Sequence, residues 1–368
     1  MLIRQPQHSI AHGATTRANN FDLIRLTAAL LVLFSHCFPL TGQTWEPLEY
    51  ATGGLEQAGS LGVMTFFVVS GFLVMRSVME RSPIEFLEAR ALRILPLFLV
   101  VTIFDVALGA FLTTLDLRTY LAHELTIAHA WNPVFVKGIS FALPGVFETL
   151  PIRAVNGSLW SMVVEVGFYA VLFVWSLVRL CNRWFILGAW AGSVSLHLLV
   201  FPAIGVNAAN PGPLLWPGAQ MFFVAKLATG FLGGAALWLW RDHVPLRGDV
   251  ALVLAGAIMV TLGTPLNQAA YILGLPYLVI YLALLPPLAP RLFQVIGDLS
   301  YGTYLFAFPV QQTLVWTCGP SIGPVTLALM ATPVVLVIAA LGWRTIERPA
   351  LALRRSRRSI PHEAPARV

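Results

Sequence analysis

Arg25 and His36 lie eleven positions apart inside one long apolar run. At 100° per residue that spacing returns to within about 20° of the same helix face, so the two side chains stack three turns apart, roughly 16 Å along the axis. Ionisable groups at such depths in a bilayer are costly, and they normally face a polar cavity or partner and mark a site or pathway. Plainer readings exist for each. Arg25 can snorkel to the headgroups. His36 is too deep for that but can be an interhelical hydrogen-bonder.

A second candidate opens the fourth apolar run, Asn156-Gly-Ser-Leu-Trp160-Ser161-Met-Val-Val-Glu165. If this helix enters from outside, Glu165 sits roughly 9 Å below the outer surface, a depth close to that of His36. A carboxylate at that level can orient an imidazole and raise its basicity, and the ring can then take a proton from an attacking hydroxyl. A buried Glu can also be protonated and structural, or part of a proton pathway. Phe86-Leu-Glu-Ala-Arg90-Ala-Leu-Arg93-Ile-Leu-Pro96 begins the third run. Arginines at i and i+3 share a helix face and can grip a phosphate or pyrophosphate, though a basic pair at a helix end also serves as a topology anchor. Ser70-Gly71 in the second run is a small pair suited to close helix packing.

The elements that carry these residues follow from composition. The 368 residues are 57% hydrophobic and 11% charged, and continuous apolar stretches long enough to cross about 30 Å of hydrocarbon recur throughout. These stretches do not alternate in polarity, which excludes a β-barrel. The expected fold is an all-α integral membrane protein with about ten transmembrane helices, near 21–40, 60–79, 91–112, 159–180, 184–202, 220–240, 249–265, 268–285, 294–316 and 325–343. Residues 1–20 read as a cytoplasmic tail, 21–343 as the membrane domain and 344–368 as a basic cytoplasmic tail. The first run lacks a cleavage site and is expected to remain as a span.

Orientation follows from the basic residues. With the N-terminus inside, Arg4, Arg17, Arg76, Arg81, Arg90, Arg93, Arg183, Arg241, Arg247, Arg291 and the cluster from Arg344 to Arg367 fall on the cytoplasmic side, and the outer loops hold only Arg118, Lys137 and Arg153. That asymmetry obeys the positive-inside rule and places both termini in the cytoplasm. The run Arg354-Arg-Ser-Arg-Arg358 is expected to meet anionic membrane lipids, and no nucleic-acid partner is expected. Cys37, Cys181 and Cys318 show no metal-type spacing and are expected to be packing residues, with no metal bound. The long stretch 113–158, with His123, His129 and Trp131, lies outside and either lines an access route or is an ordinary amphipathic loop.

In order along the chain, the motifs resemble the acyltransferase 3 family of bacterial integral-membrane proteins, which includes O-acetyltransferases of lipopolysaccharide and exopolysaccharide. The resemblance rests on Phe21-Asp-Leu-Ile-Arg25 with His36, Phe66-Phe-Val-Val-Ser70-Gly-Phe72, Arg90-x-x-Arg93-Ile-x-Pro96, Asn156-Gly-Ser-Leu-Trp160-Ser161-x-x-x-Glu165, Gly297-Asp-Leu-Ser-Tyr301-Gly-Thr-Tyr304-Leu and Glu347-Arg348-Pro349. It implies transfer of an acyl group, usually acetyl, from cytoplasmic acyl-CoA to a hydroxyl of a cell-surface or lipid-linked glycan at the bacterial inner membrane. On that resemblance His36, Arg25 and Glu165 are site residues and Arg90 and Arg93 handle the acyl-CoA donor. Ser70, Asn156, Trp160, Ser161, Tyr301 and Glu347 are further candidates, with Arg25, Asn156 or Ser161 able to help a developing oxyanion. The family's ninth span often reads Tyr-Leu-x-His-x-Pro, whereas this chain has Ala307 at the histidine position. Many members also carry an appended esterase-like domain, which is not expected here, so acceptor selection would rest with the membrane part or a glycan-assembly partner protein. The competing function is a proton-coupled secondary transporter or glycan exporter using Arg25, His36 and Glu165; the paired broken half-helices of a midplane transport site are not evident. A catalytically silent sensor on the same fold ranks behind both.

Overall fold

In hydrocarbon every backbone N–H and C=O must find its partner within the chain, and uninterrupted apolar runs of span length do so as helices. The computed structural model describes residues 9–15, 19–134, 138–216, 218–289, 293, 295–319 and 321–358. Its long helices are α1 (Phe21–Leu40), α2 (Ala58–Glu80), α3 (Pro83–Leu112), α4 (Trp160–Leu177), α5 (Arg183–Ser195), α6 (Met221–Leu239), α7 (Gly248–Val260), α8 (Leu266–Leu284), α9 (Ser300–Cys318) and α10 (Pro324–Gly342). The protein is an all-α membrane protein, with one two-stranded ribbon, Leu214–Trp216 against Ala219–Gln220, among the described residues. Large apolar side chains such as Ile103 on α3, Val174 on α4, Leu252 on α7 and Leu329 on α10 are more than half exposed. A surface of that kind needs lipid as its solvent.

Among the described residues eight helices are long and apolar enough to cross a bilayer. Two expected spans differ, for separate reasons. Helix α7 has 13 residues, about 20 Å of rise, short of the hydrocarbon thickness. Helix α9 is long enough but carries Thr303, Gln311 and Gln312 and is buried without a break from Ser300 through Gln312. A helix surrounded by protein can hold polar residues that a lipid-facing one cannot.

The bundle is centred on α1, α2, α6 and α9. Gly71 of α2 lies so close to the Phe231 carbonyl of α6 that a Cβ would overlap it, and Gly234 of α6 stands in the same relation to the Val68 carbonyl of α2. Small residues let two membrane helices approach to backbone contact, which is the packing role expected of Ser70-Gly71. Gly71→Leu should force the pair apart, costing about 1–3 kcal/mol by overpacking; a thermal unfolding midpoint in detergent equal to that of the unsubstituted protein would contradict this. Helix α9 is sewn to α1 by the Gln311 amide, which donates to the Leu33 carbonyl at 2.7 Å and to Cys37 Sγ at 2.9 Å. All three cysteines are free, and Cys318, contrary to its expected packing role, is exposed.

One end of the bundle gathers most of the described arginines, and here it is called the basic end. There the Asn20 amide donates to the carbonyls of Leu282, in the last turn of α8, and Leu285 just beyond it, and Ile10 of a short helix, Ile10–Thr15, donates its N–H to the Val244 carbonyl after α6. Helix α3 begins earlier than expected, at Pro83, because Ser82 and Glu85 form a reciprocal capping box. Arg90 and Arg93 therefore lie inside a 30-residue helix. The stretch 113–158 is partly helical, Leu117–Ala122 and Glu124–Ala130, and is tied down by buried Tyr120 and His129. Arg4, Arg17, Lys137 and Arg291, and the side chains of residues 354–358, fall outside the described residues.

Candidate active site

Two cavities enter the bundle from opposite ends and abut in its middle. The one toward the basic end has a volume of about 220 Å³ and is lined by Arg25 of α1, Ser70 of α2, Arg90 and Arg93 of α3, Glu165 and Tyr169 of α4, and Tyr301 and Tyr304 of α9. The one toward the opposite end, about 410 Å³, is lined by His36, Glu46, Glu49, Trp160, Lys226 and Tyr304 among others. Eleven positions on one helix face thus place Arg25 and His36 in different chambers. Their roles are separate by geometry.

At the mouth of the basic-end chamber four charges interlock. Asp298, in the turn before α9, accepts from Arg25 Nη1 at 2.6 Å and from Arg93 Nη2 at 2.6 Å, and Arg93 Nη1 donates to Glu347 at 2.9 Å. Asp298 is held from behind by the Ser300 amide and hydroxyl. Arg25 therefore does not snorkel; it is one of two cations sharing a carboxylate. Arg93 also lies 5.5 Å from the Tyr301 ring centre, while the Tyr301 hydroxyl donates to the Ile94 carbonyl at 2.9 Å. Glu347 stands in a π-helical turn, Trp343–Glu347, that continues α10. These contacts make Arg25, Arg93, Tyr301 and Glu347 a structural clamp joining α1, α3, α9 and the end of α10.

Arg90 stands apart from that clamp. Its guanidinium packs 5.7 Å from the Tyr169 ring, and its Nε is buried with no hydrogen-bond partner among the described residues. The sequence suggested that Arg90 and Arg93 act together on one anion. The structure divides them, because Arg93 is committed to two carboxylates and Arg90 is not.

Glu165 is not beside His36. Its Oε1 accepts from Ser70 Oγ at 2.8 Å and from the Tyr169 hydroxyl, all within the basic-end chamber. The expected pairing assumed that the fourth span starts at the membrane surface. Instead, the 3₁₀ turn Gly157–Leu159 that begins it is already buried, with Asn156, Ser158 and Leu159 at most 1% exposed, and that carries Glu165 past the level of His36. Asn156 is also occupied: its amide donates to Asp105 Oδ2 at 3.1 Å and to the Leu305 carbonyl at 3.0 Å. Asp105 in turn meets His129 Nε2 at 3.3 Å, so this fully buried trio anchors the 113–158 stretch and lines neither chamber.

His36 has the setting of a reactive group. Its ring lies edge-on to Phe308, 5.1 Å between centres, and lines the larger chamber, while Nδ1 is buried with no partner among the described residues. A buried polar atom left unpaired calls for an explanation, and a catalytic task is one. The chamber is roofed by the connection 41–57, contributing Gln43, Thr44, Trp45, Glu46, Glu49 and Gln57; none of the described residues of the longer stretch 113–158 lines it. Glu46 accepts from the Ala58 N–H at 2.9 Å, at the start of α2. Burial pushes its pKa up, and that backbone bond pulls it part of the way back. Lys226 was not anticipated from sequence: it donates to Glu56 at 2.6 Å and to Ser60 at 2.9 Å on the chamber wall. Lone charges in apolar runs, Lys226 and Asp105 alike, were the available signal for both clusters.

The family model for acyltransferase domains matches residues 19–344. The chain belongs to the acyltransferase 3 family. It is similar to Nodulation protein 10 of Rhizobium leguminosarum bv. viciae, 29% identical over 95% of this chain and 96% of that protein. It is also similar to an O-acetyl transferase of Shigella phage Sf6, 28% identical over 90% of this chain and 96% of that one. No solved structure matches it significantly. This acyltransferase 3 protein is thus a multi-pass membrane O-acyltransferase, and the transporter alternative is set aside.

Proposed function

We propose that this enzyme moves an acyl group, acetyl in the first instance, from acyl-CoA presented at the basic end to a hydroxyl of a glycan or lipid-linked sugar held in the opposite chamber. The observation that carries the reading is the pair of chambers, one with an uncommitted guanidinium at Arg90 and the other with an uncommitted imidazole at His36. By the positive-inside rule the basic end faces the cytoplasm of a bacterial inner membrane, where acyl-CoA is available, and both termini lie there. A chamber of about 220 Å³ is smaller than the usual site for a drug-sized ligand. It suits the thioester arm of the donor and leaves the nucleotide outside, its phosphates within reach of Arg90.

On the other side, Glu46, Glu49 and Gln57 offer acceptors for sugar hydroxyls, and Trp45 and Trp160 offer flat apolar faces. His36 takes the proton of the acceptor hydroxyl as its oxygen attacks the thioester carbonyl. The new C–O bond forms, the C–S bond breaks, and the proton passes to the departing sulfur. The products are an ester and free CoA. Membrane lipids and a glycan-assembly partner complete the setting.

Inverted membrane vesicles containing the protein, supplied externally with radiolabelled acetyl-CoA, should yield a base-labile acetyl ester on endogenous glycan. Right-side-out sealed vesicles should yield none. Equal labelling from both sides, or none in either, would reject the proposed donor geometry.

A further inference from the structure

The two chambers share lining residues. Val63 of α2 and Tyr304 of α9 border both, so the partition between donor and acceptor sides is one side chain thick. Tyr304 is fixed in place. Its hydroxyl donates to the Ser158 carbonyl at 2.9 Å, which requires the Ser161 hydroxyl, 2.5 Å away, to be the donor in their contact. Its ring lies edge-on to Phe66, 5.6 Å between centres. Val63 is buried and has no polar tie, and its β-branched side chain holds few rotamers. Trp160 faces the His36 chamber, whereas its neighbour Ser161 faces the other. The start of α4 is therefore the frame to which the partition is bolted.

We propose that Val63 and Tyr304 form a size filter that sets which acyl chains reach His36, with Tyr304 as the fixed jamb and Val63 as the side that limits width. The inference rests on the acyl-transfer reading. An acyl carbonyl carried by a donor from the basic end must cross this partition to meet a hydroxyl activated by His36. The methyl of an acetyl group is the smallest tail that must follow it. Each added methylene has to be accommodated against Val63, and one methylene in a tight apolar pocket changes discrimination roughly 10- to 200-fold. Ser161 and Ser158 act through Tyr304, as positioning residues.

The test is a competition in inverted vesicles given equimolar acetyl-CoA and propionyl-CoA, with base-released acetate and propionate measured by mass spectrometry. Val63→Ala should raise the propionate-to-acetate ratio at least about ten-fold over the unsubstituted protein, the low end of the methylene effect. Tyr304→Phe, which keeps the ring but frees it from Ser158, should move the ratio in the same direction by less. If Val63→Ala gives no product, Val63→Ile decides: at equal membrane abundance it must lower the ratio. A ratio unchanged in whichever of these variants is active overturns the filter. Absence of any base-labile acyl product from the unsubstituted protein instead rejects the acyl-transfer reading itself.

Discussion

His36→Ala is expected to abolish O-acylation while leaving the protein in the membrane at its normal level. General-base catalysis by a positioned imidazole contributes on the order of 10²- to 10⁴-fold, enough to take a measurable ester signal below detection. The fold should tolerate the change because, among the described residues, the His36 Nδ1 has no partner and the ring makes an edge contact with Phe308. Among the described residues, removing it deletes no hydrogen bond that another buried group depends on. His36→Gln, of similar reach but without a proton-accepting ring, should be equally inactive, and Glu165→Gln should not mimic it, since Glu165 bonds Ser70 and Tyr169 instead of His36. The measurement is ester-linked acetate on surface glycan, by mass spectrometry, alongside immunoblot of the membrane fraction. Acetylation retained in His36→Ala would remove His36 from the chemistry.

The sequence spoke clearly where a single helix supplied the answer. Apolar runs located the helices, and the eleven-residue spacing put Arg25 and His36 on one face, because both follow from the pitch of one element. It spoke less clearly where several elements decide. The depth of Glu165 depended on whether the turn at Gly157–Leu159 lies at the surface or inside, and tertiary contacts place it inside, among them Phe308 against Gly157, Asn156 on Asp105 and Tyr304 on the Ser158 carbonyl. Arg90 and Arg93 look equivalent as text. What distinguishes them is Asp298, more than 200 positions away in the chain, a carboxylate of the Gly297-Asp-Leu-Ser motif whose pairing with Arg93 no local spacing reveals. The roof over His36 was similarly hidden, since residues 41–57 are short and show no periodicity, whereas the conspicuous stretch 113–158 turned out to be anchored elsewhere.

That division of labour gives the second large effect, a contrast between neighbours one helical turn apart. Arg93→Ala leaves Glu347 without its cation and Asp298 with only Arg25, inside a nearly closed site. Breaking a buried pair by removing one partner costs about 3–5 kcal/mol, a large share of the stability of any domain. Its expected signature is low membrane abundance and a depressed unfolding midpoint in detergent, with activity lost in proportion. Arg90→Ala removes a guanidinium that takes no part in the clamp and loses chiefly its packing on Tyr169. It should accumulate normally. Its defect should fall on the donor, because a hydrogen bond to a charged group contributes about 1.5–3 kcal/mol, equivalent to a rise of roughly 10- to 100-fold in the KM for acyl-CoA. Saturating acetyl-CoA should then restore most of the rate in Arg90→Ala vesicles and none of the protein missing from Arg93→Ala. Loss of abundance in both variants, or a KM unchanged in Arg90→Ala, would mean that the pair is structural throughout and that the donor's phosphates are held elsewhere.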